Sequence, residues 1–348
     1  MFEQKKLIKD VSYFIVNEKY LVYKTKNKNV ICQEILDKNI GDDIILTRHN
    51  IFYNKEENIY AINLLDYSKK KIKNYAIFNV EPMCFDKGIV INSNYEKLYF
   101  LDKKTFSLKK LNINNYNWGL IYLTADFVFI NNINNVQAFL LKENTLLWQF
   151  DLTTLGTYTD YNNETQNYKV EKILGIHNEC LYLGLSGSLI VELDIATGDI
   201  TYQWHKLPKQ FVKHPSDGFS ARLFDLDTEN NQLICIAGRR YDTIDLDTKT
   251  YNSVDTTKEL EQYDIVSITR QGDFTNEHIS AIAHLKNDTW MQEGIVMFNR
   301  KTNRIDFFYK DKTFTTGTDK PKIAGDKLYQ LDVDSNLHIF EKTGDNQV

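Results

Sequence analysis

Five times along this chain an apolar run ends at a polar residue and a threonine follows three positions later. The pairs are Asp102 and Thr105, Lys142 and Thr145, Asp194 and Thr197, Asp245 and Thr248, and Asn299 and Thr302. An Asp or Asn side chain at such a point accepts from the backbone N–H groups of a tight turn, and a Thr hydroxyl closes it. Gly198 and Asn303 then supply the left-handed residue that such a turn requires. Weaker copies end at Thr25, at Ser68 to Lys70 and at Thr343-Gly344. Successive turns lie about 36 to 54 residues apart, a period that fits a repeated four-stranded sheet and not the strands of a sandwich, which recur without a longer repeat.

The runs between these turns are short, rich in Ile, Val, Leu, Tyr and Phe, and bounded by polar clusters, and stretches of helical period are almost absent. Eight of them read as hairpins built alike, namely SYFIVN-EKYLVYKT, NIFYN-KEENIYAINLL, GIVINSNYEKLYFLD, FVFINNINNVQAFLL, CLYLGLSGSLIVELD, LICIAGRRYDTIDLD, ISAIAHLKNDTWMQEGIVMFN and KLYQLDVDSNLHIFEK. The chain is therefore read as all-β. Proline is rare, at 4, and glycine low, at 15, while Asn makes up about one residue in ten, so Asn, Asp and Lys must build most of the turns.

Charged residues at 26%, hydrophobic residues at 42% and a net charge of -5 describe an ordinary globular chain of 348 residues. With no long block of either sign, nucleic acid is not the expected partner. Cys32, Cys84, Cys180 and Cys235 lie singly in or beside apolar runs, which fits buried thiols in a reducing compartment and neither a disulfide framework nor a zinc site. The opening MFEQKKLIKDVSYFIV is broken by Lys9 and Asp10 before a signal-peptide core forms, so a cytoplasmic location is expected. No run approaches the roughly 18 apolar residues of a membrane helix, and no membrane insertion is expected.

The segment LIVELDIATGDITY, Leu189 to Tyr202, closely resembles the repeat of PQQ-like propellers, in which an ALD-x-x-TG-x-x-x-W pattern closes each blade; Tyr202 stands at the tryptophan position. VQAFLLKENTLLWQF, Val136 to Phe150, is a shortened second copy that keeps Trp148. By blade spacing most of the chain resembles the PQQ-like and WD40-like β-propeller repeat family, although WD dipeptides, the kelch double glycine and the sialidase-type Asp-box are missing. The resemblance implies one β-propeller domain over residues 1–348, built of four-stranded antiparallel blades. Eight hairpins allow seven or eight blades, with the N-terminal strand FEQKKLIK completing the C-terminal blade and so closing the ring. PQQ enzymes hold a quinone with calcium and a vicinal cysteine pair. Here no cysteines are adjacent and the chain is much shorter, so no cofactor is expected, and the non-enzymatic scaffold members of the family are the better match.

Local signatures of chemistry are few. Asp332-Val-Asp334-Ser-Asn336 opens like a calcium loop, but Leu337 and Thr343 stand where the sharp-turn glycine and the bidentate glutamate belong, so it reads as the turn of the last hairpin. Asp225-Leu-Asp227 and Asp245-Leu-Asp247 read likewise as turn anchors at strand ends. The seven histidines have no metal-binding spacing, and no G-x-S-x-G elbow, P-loop or dinucleotide fingerprint is present; no metal ligand and no catalytic residue is assigned.

Long connections carry the functional expectation. In an up-and-down sheet the connection to the next sheet and the loop between the second and third strands emerge at the same end. Three long connectors, Thr153 to Val170, His205 to Ala221 and Lys310 to Lys322, belong to that end. Tyr158, Asp160, Tyr161 and His214 from the connectors, with Arg239, Arg240, Trp290 and Met291 from the inner loops, form the candidate partner-binding set. Tyr, Trp, Arg and Met bury large area at interfaces while still making hydrogen bonds. The leading expectation is a non-catalytic propeller that binds another protein through this loop-rich face, as a scaffold or an immunity-type inhibitor. The alternatives are a hydrolase or lyase with a metal or polar site in the axial channel, and a carbohydrate-binding propeller.

Overall fold

Asp102, Asp194, Asp245 and Asn299 each fold the chain back on itself. In the computed structural model, Asp102 accepts from the Thr105 N–H at 2.7 Å and hydroxyl at 2.9 Å. Asp245 does the same with Thr248, at 2.7 and 2.9 Å. Asp194 takes the N–H groups of Ala196 and Thr197 at 2.9 and 2.8 Å, and Asn299 those of Lys301 and Thr302 at 2.9 and 3.1 Å. Four residues beyond each anchor the backbone is left-handed, at Phe106, Gly198, Lys249 and Asn303, with φ of 58°, 78°, 61° and 56°. The N–H groups of Thr197 and Thr248 hold the Asp194 and Asp245 carboxyls below the ordinary carboxylate value.

One of the expected copies is built differently. At the Lys142 unit the Asn144 N–H bonds to the Leu140 carbonyl at 2.7 Å and Asn144 has φ 60°. The anchor is therefore Leu140, which has no side-chain acceptor, and Thr145 stands one place past the left-handed residue instead of one before it. The copy expected to end at Ser68 to Lys70 is regular: Asn63 accepts from the Leu65 N–H at 2.8 Å, and Tyr67, four residues on, has φ 56°. A second recurrent turn emerges only in three dimensions. The side-chain oxygens of Asn17, Thr47, Thr124 and Thr275 accept from the N–H three residues later, at 2.8 to 3.0 Å, between the first and second strands of their sheets.

The structure describes residues 2–17, 19–32, 34–38, 40, 44–47, 50–55, 58–73, 88–93, 97–102, 105–111, 113, 121–124, 126–160, 162–205, 220–286, 292–310 and 319–342. They are all-β apart from one short α-helix, Thr257–Glu261, and a few 3-10 turns. Apart from a two-stranded hairpin over 157–167, eight antiparallel sheets follow one another, spanning 11–37, 44–73, 88–110, 121–151, 170–204, 225–255, 265–309 and 322–342. Among the described residues the sheet over 88–110 has three strands and the other seven have four. The fourth strand of the last sheet is the N-terminal one: Phe2–Ile8 pairs antiparallel with Leu337–Lys342, Phe2 opposite Lys342 and Ile8 opposite Leu337. Every expected hairpin is present. The first differs in position: Val11–Val16 and Leu21–Thr25 open their sheet, so Thr25 sits in the connection to a third strand.

The chain divides into two compact units of four sheets each. In the unit containing the sheets from 44–73 to 170–204, apolar side chains interleave between consecutive sheets. Phe52 and Ala61 pack with Leu101, Leu98 and Phe100 with Val128 and Ile130, and Phe129 and Val136 with Leu181 and Leu183. The unit containing the other four does the same. Ile234 and Ile236 pack with Ile279 and Phe298, Ile282 and Phe307 with Leu328 and Phe340, and Val11 and Phe14 with Leu337 and Ile339. Each of the Val, Leu, Ile and Phe side chains among these contributes about 1.5–3 kcal/mol when fully buried.

Polar staples accompany the apolar ones. Arg300, in the turn after the Asn299 anchor, pairs with Asp227 of the preceding sheet and also donates to the Thr275 carbonyl at 2.7 Å. Burial alone would raise the Asp227 carboxyl, but hydrogen bonds from Asn230 and Arg300, with the guanidinium charge, hold it below its ordinary value. Asp332 accepts from the Asn336 N–H at 2.7 Å and the Asn336 amide at 3.0 Å, and meets His338 at 2.8 Å, which is the chemistry of a hairpin turn.

One close contact between sheets is at Trp148. Its indole N–H donates to the Ile195 carbonyl at 2.8 Å, and a Cβ placed on Gly198 would come within 2.6 Å of the ring. Gly198→Ala therefore adds a steric cost to that of its left-handed backbone. Gly325 (φ 60°) has nothing within 4 Å of the same position and isolates the backbone cost. Urea unfolding is expected to show Gly198→Ala losing about 1–3 kcal/mol more than Gly325→Ala. Equal losses would mean that the indole does not rest on that turn.

Candidate functional site

The connector between the sheets over 121–151 and 170–204 is built by local hydrogen bonding. Asp151 ends its strand and accepts from the Thr153 N–H at 2.9 Å and hydroxyl at 2.8 Å, which starts the 3-10 turn Leu152–Leu155 and holds the carboxyl below its ordinary value. Gly156 (φ 79°) redirects the chain into a small hairpin, Thr157–Thr159 paired with Thr165–Asn167. Asp160 closes this hairpin, accepting from the N–H groups of Asn162 and Glu164, both at 2.9 Å.

Past the hairpin, Lys169 and Ser186 extend the pairing of Val170 with Leu185 by one residue, and the hairpin itself meets the loop between the second and third strands of the next sheet at Gly187. The Lys169 N–H donates to the Ser186 hydroxyl at 2.9 Å, and the Ser186 N–H donates back to the Lys169 carbonyl at 2.9 Å. Gly187 (φ 67°) brings bare backbone up to the Tyr158 ring, since a Cβ there would lie 2.6 Å from Tyr158 Cγ. Tyr168 lies beside Tyr158, ring centroids 5.2 Å apart and planes tilted by 35°. Burial raises the Tyr168 hydroxyl above the ordinary tyrosine value, and the neighbouring Tyr158 adds to it. A cavity of about 270 Å³ opens here, lined by Tyr158, Thr159, Tyr168, Gly187, Ser188, Leu189 and His205. It offers aromatic surface with hydroxyl groups and an imidazole at the rim, suited to holding a side chain or a small ligand. On the adjoining loop, Ile133 is 65% exposed, beside the 3-10 turn whose Leu152 N–H bonds to the Asn134 carbonyl at 2.8 Å.

The residues singled out from the sequence have different places. Tyr158 lines the cavity. Asp160 is half-buried, and its Oδ1 is taken up by the hairpin turn. Arg239 donates through Nε to the Val266 carbonyl at 2.9 Å. Arg240 is only 7% exposed and pairs with Asp242 at 3.3 Å, in a network where Tyr251 and Ser253 donate to the same carboxylate at 2.7 and 2.6 Å; it is a core residue of its sheet. Tyr161, His214, Trp290 and Met291 lie outside the described residues. Ser186, Gly187 and Ser188 are absent from the sequence-derived set, because a Ser-Gly-Ser turn has no chemistry of its own; a glycine beside an aromatic connector is the signal that marks them. Among the described residues no three His, Cys, Asp or Glu side chains group as metal ligands, and no helix is long and apolar enough to cross a membrane.

No protein-family model matches the sequence, and no curated protein matches it. In three dimensions the chain is similar to the computationally designed Ika8 protein, with TM-score 0.61, 9% identity and 96% of each chain covered. It is also similar to Sqt1 from Saccharomyces cerevisiae, with TM-score 0.57, 9% identity and 99% of this chain and 98% of that one covered. A chain of the mitotic checkpoint complex gives TM-score 0.51 at 9% identity over 87% and 92% of the two chains. These likenesses show the fold, a β-propeller repeat.

If Gly187 holds the hairpin by letting the Tyr158 ring sit on bare backbone, Gly187→Ala must displace that ring. Limited proteolysis is expected to cut within 157–167 about tenfold faster in this variant, the exposed-loop regime of local opening. An unchanged rate would show that the hairpin is held without this contact.

Proposed function

We propose that the chain is a single propeller domain of eight blades that binds another protein, without catalysis, through the loop-rich end carrying the Tyr158 connector. The observation that supports this most directly is a long connector that folds into a small hairpin of its own, rests its Tyr158 ring on the Gly187 backbone of the neighbouring loop and carries two half-exposed tyrosines. Ordering such a segment costs about 1–2 kcal/mol per residue in backbone entropy, and long loops on rigid scaffolds commonly carry function. Tyr158 and Tyr168 present broad amphipathic rings, Ile133 adds an exposed apolar tip, and Thr159 and Ser188 add hydroxyl groups at the rim. This is the composition of an interface core with a polar edge. The role is that of a scaffold or an inhibitor-type binder.

Affinity capture from the native host, with the bound proteins identified by mass, compares the wild-type chain with the variant Tyr158→Ala, Ile133→Asp. A specific partner is expected on the wild type and about tenfold depleted on the variant, as loss of one anchor at an interface produces. Equal recovery on both, with the variant folded by circular dichroism, would contradict the assignment of this end.

A further inference from the structure

Outer strands are the exposed edges of such sheets, and most of them here carry charges. Lys69–Lys73 reads KKKIK, Leu108–Lys110 reads LKK, Phe2–Ile8 carries Glu3, Lys5 and Lys6, and Arg304–Tyr309 carries Arg304 and Asp306. Edge charges, lysine above all, keep foreign strands from pairing. Thr145–Asp151, the outermost strand of its sheet, departs from this rule: it reads TLLWQFD, with no charge before its last residue. Trp148 and Phe150 are buried, but Leu146 and Leu147 are 50% and 37% exposed. The pairing register slips between Ala138 and Phe139 opposite them, so that Leu147 is the bulged residue. A second edge, Ile200–Trp204, is uncharged and exposes Ile200 and Tyr202, and Tyr251–Asp255, which reads YNSVD, also has no charge before its last residue but exposes no large apolar side chain.

What separates the first edge from the second is the charge around it. Lys109 donates from Nζ to the Leu141 and Lys142 carbonyls at 2.9 and 2.7 Å, and the Asn144 amide donates to the Lys110 carbonyl at 3.2 Å. Three lysines therefore gather at the turn from which Thr145–Asp151 starts, with Glu143 as the acid within that turn, in a chain whose net charge is -5. One outer strand farther along the same unit, Lys69 and Lys70 lie over the Tyr60 and Phe106 rings at 4.5 and 4.7 Å and continue the basic surface.

We infer that the edge Thr145–Asp151 receives an extended acidic segment of a partner protein as an added strand, its apolar side chains on Leu146 and Leu147 and its carboxylates toward Lys109, Lys110 and Lys142. Main-chain hydrogen bonds along the edge give affinity, and side-chain alternation with charge gives selectivity. This surface is separate from the Tyr158 cavity, and either can fail without the other.

The probe is a fluorescein-labelled ten-residue peptide of alternating Val and Glu, titrated against the full chain by anisotropy. A Val-Lys peptide and a Val-Glu peptide with two central prolines accompany it. The Val-Glu peptide is expected to bind about tenfold more tightly than either of the others, and to slow amide exchange within 145–151. Leu147→Asp, and separately Lys110→Glu with Lys142→Glu, are expected to weaken it about fivefold or more, while Tyr202→Asp on the other uncharged edge leaves it unchanged. All of these positions are exposed, and an unchanged urea midpoint confirms that the variants fold. Equal binding of the Val-Glu and Val-Lys peptides, no binding, or protection elsewhere would overturn the inference. So would sedimentation showing that the wild type self-associates and Leu147→Asp does not, which would assign the edge to a second copy of this chain.

Discussion

A four-stranded sheet has two faces and no interior, so none of the sheets in this chain can bury its own apolar side chains. Phe129 and Val136 leave water only because Leu181 and Leu183 of the next sheet meet them, and Phe340 only because Ile282 and Phe307 lie on the other side. Most stabilisation of this fold therefore resides between sheets, where neighbours interdigitate, and each element is stable only as part of a series. Trp148 concentrates this dependence in one residue. Its ring is part of the core cluster shared by two sheets, while its N–H is satisfied only by the Ile195 carbonyl in the neighbouring turn. The turn is shaped for it, since Gly198 meets a conformational need and a spatial one at the same position.

This division of labour explains where variation is tolerated. The turns at one end of the sheets are closed by their own hydrogen bonds: Asp102, Asp194, Asp245 and Asn299 each have Oδ1 taken up by their own loop. At the other end the chain inserts the Tyr158 hairpin, whose turns are closed by Asp151 and Asp160 and whose Tyr158 ring rests on Gly187. At the outer edges charge is common, and Thr145–Asp151, with no charge before its last residue, departs from it.

Strand content and hairpin positions are legible in the sequence because alternation and turn chemistry are local. The Asp-x-x-Thr bend is a contact between residues three apart, and it forms as expected at Asp102, Asp194 and Asp245. The slip at Lys142 is hidden because a backbone bond from Asn144 to Leu140 replaces the side-chain anchor and leaves no mark in residue type. The candidate site is half legible. Tyr158 is aromatic and lies in a long connector, which is visible; its dependence on Gly187 is a contact between residues far apart in the chain, which is not. Arg240 departs from expectation for a related reason. Its position beside a loop suggests exposure, yet Asp242, Tyr251 and Ser253 draw it into a buried network that only the register of two paired strands assembles.

The dependence of each sheet on its neighbour can be measured directly by hydrogen exchange on Trp148→Ala. If stability lies between sheets, amides of Cys180–Asp194 lose protection together with those of Phe127–Leu140, although the substitution is in neither segment. Loss confined to the sheet over 121–151, with Cys180–Asp194 protected as in the wild type, would show that the sheets stand independently and would contradict the account.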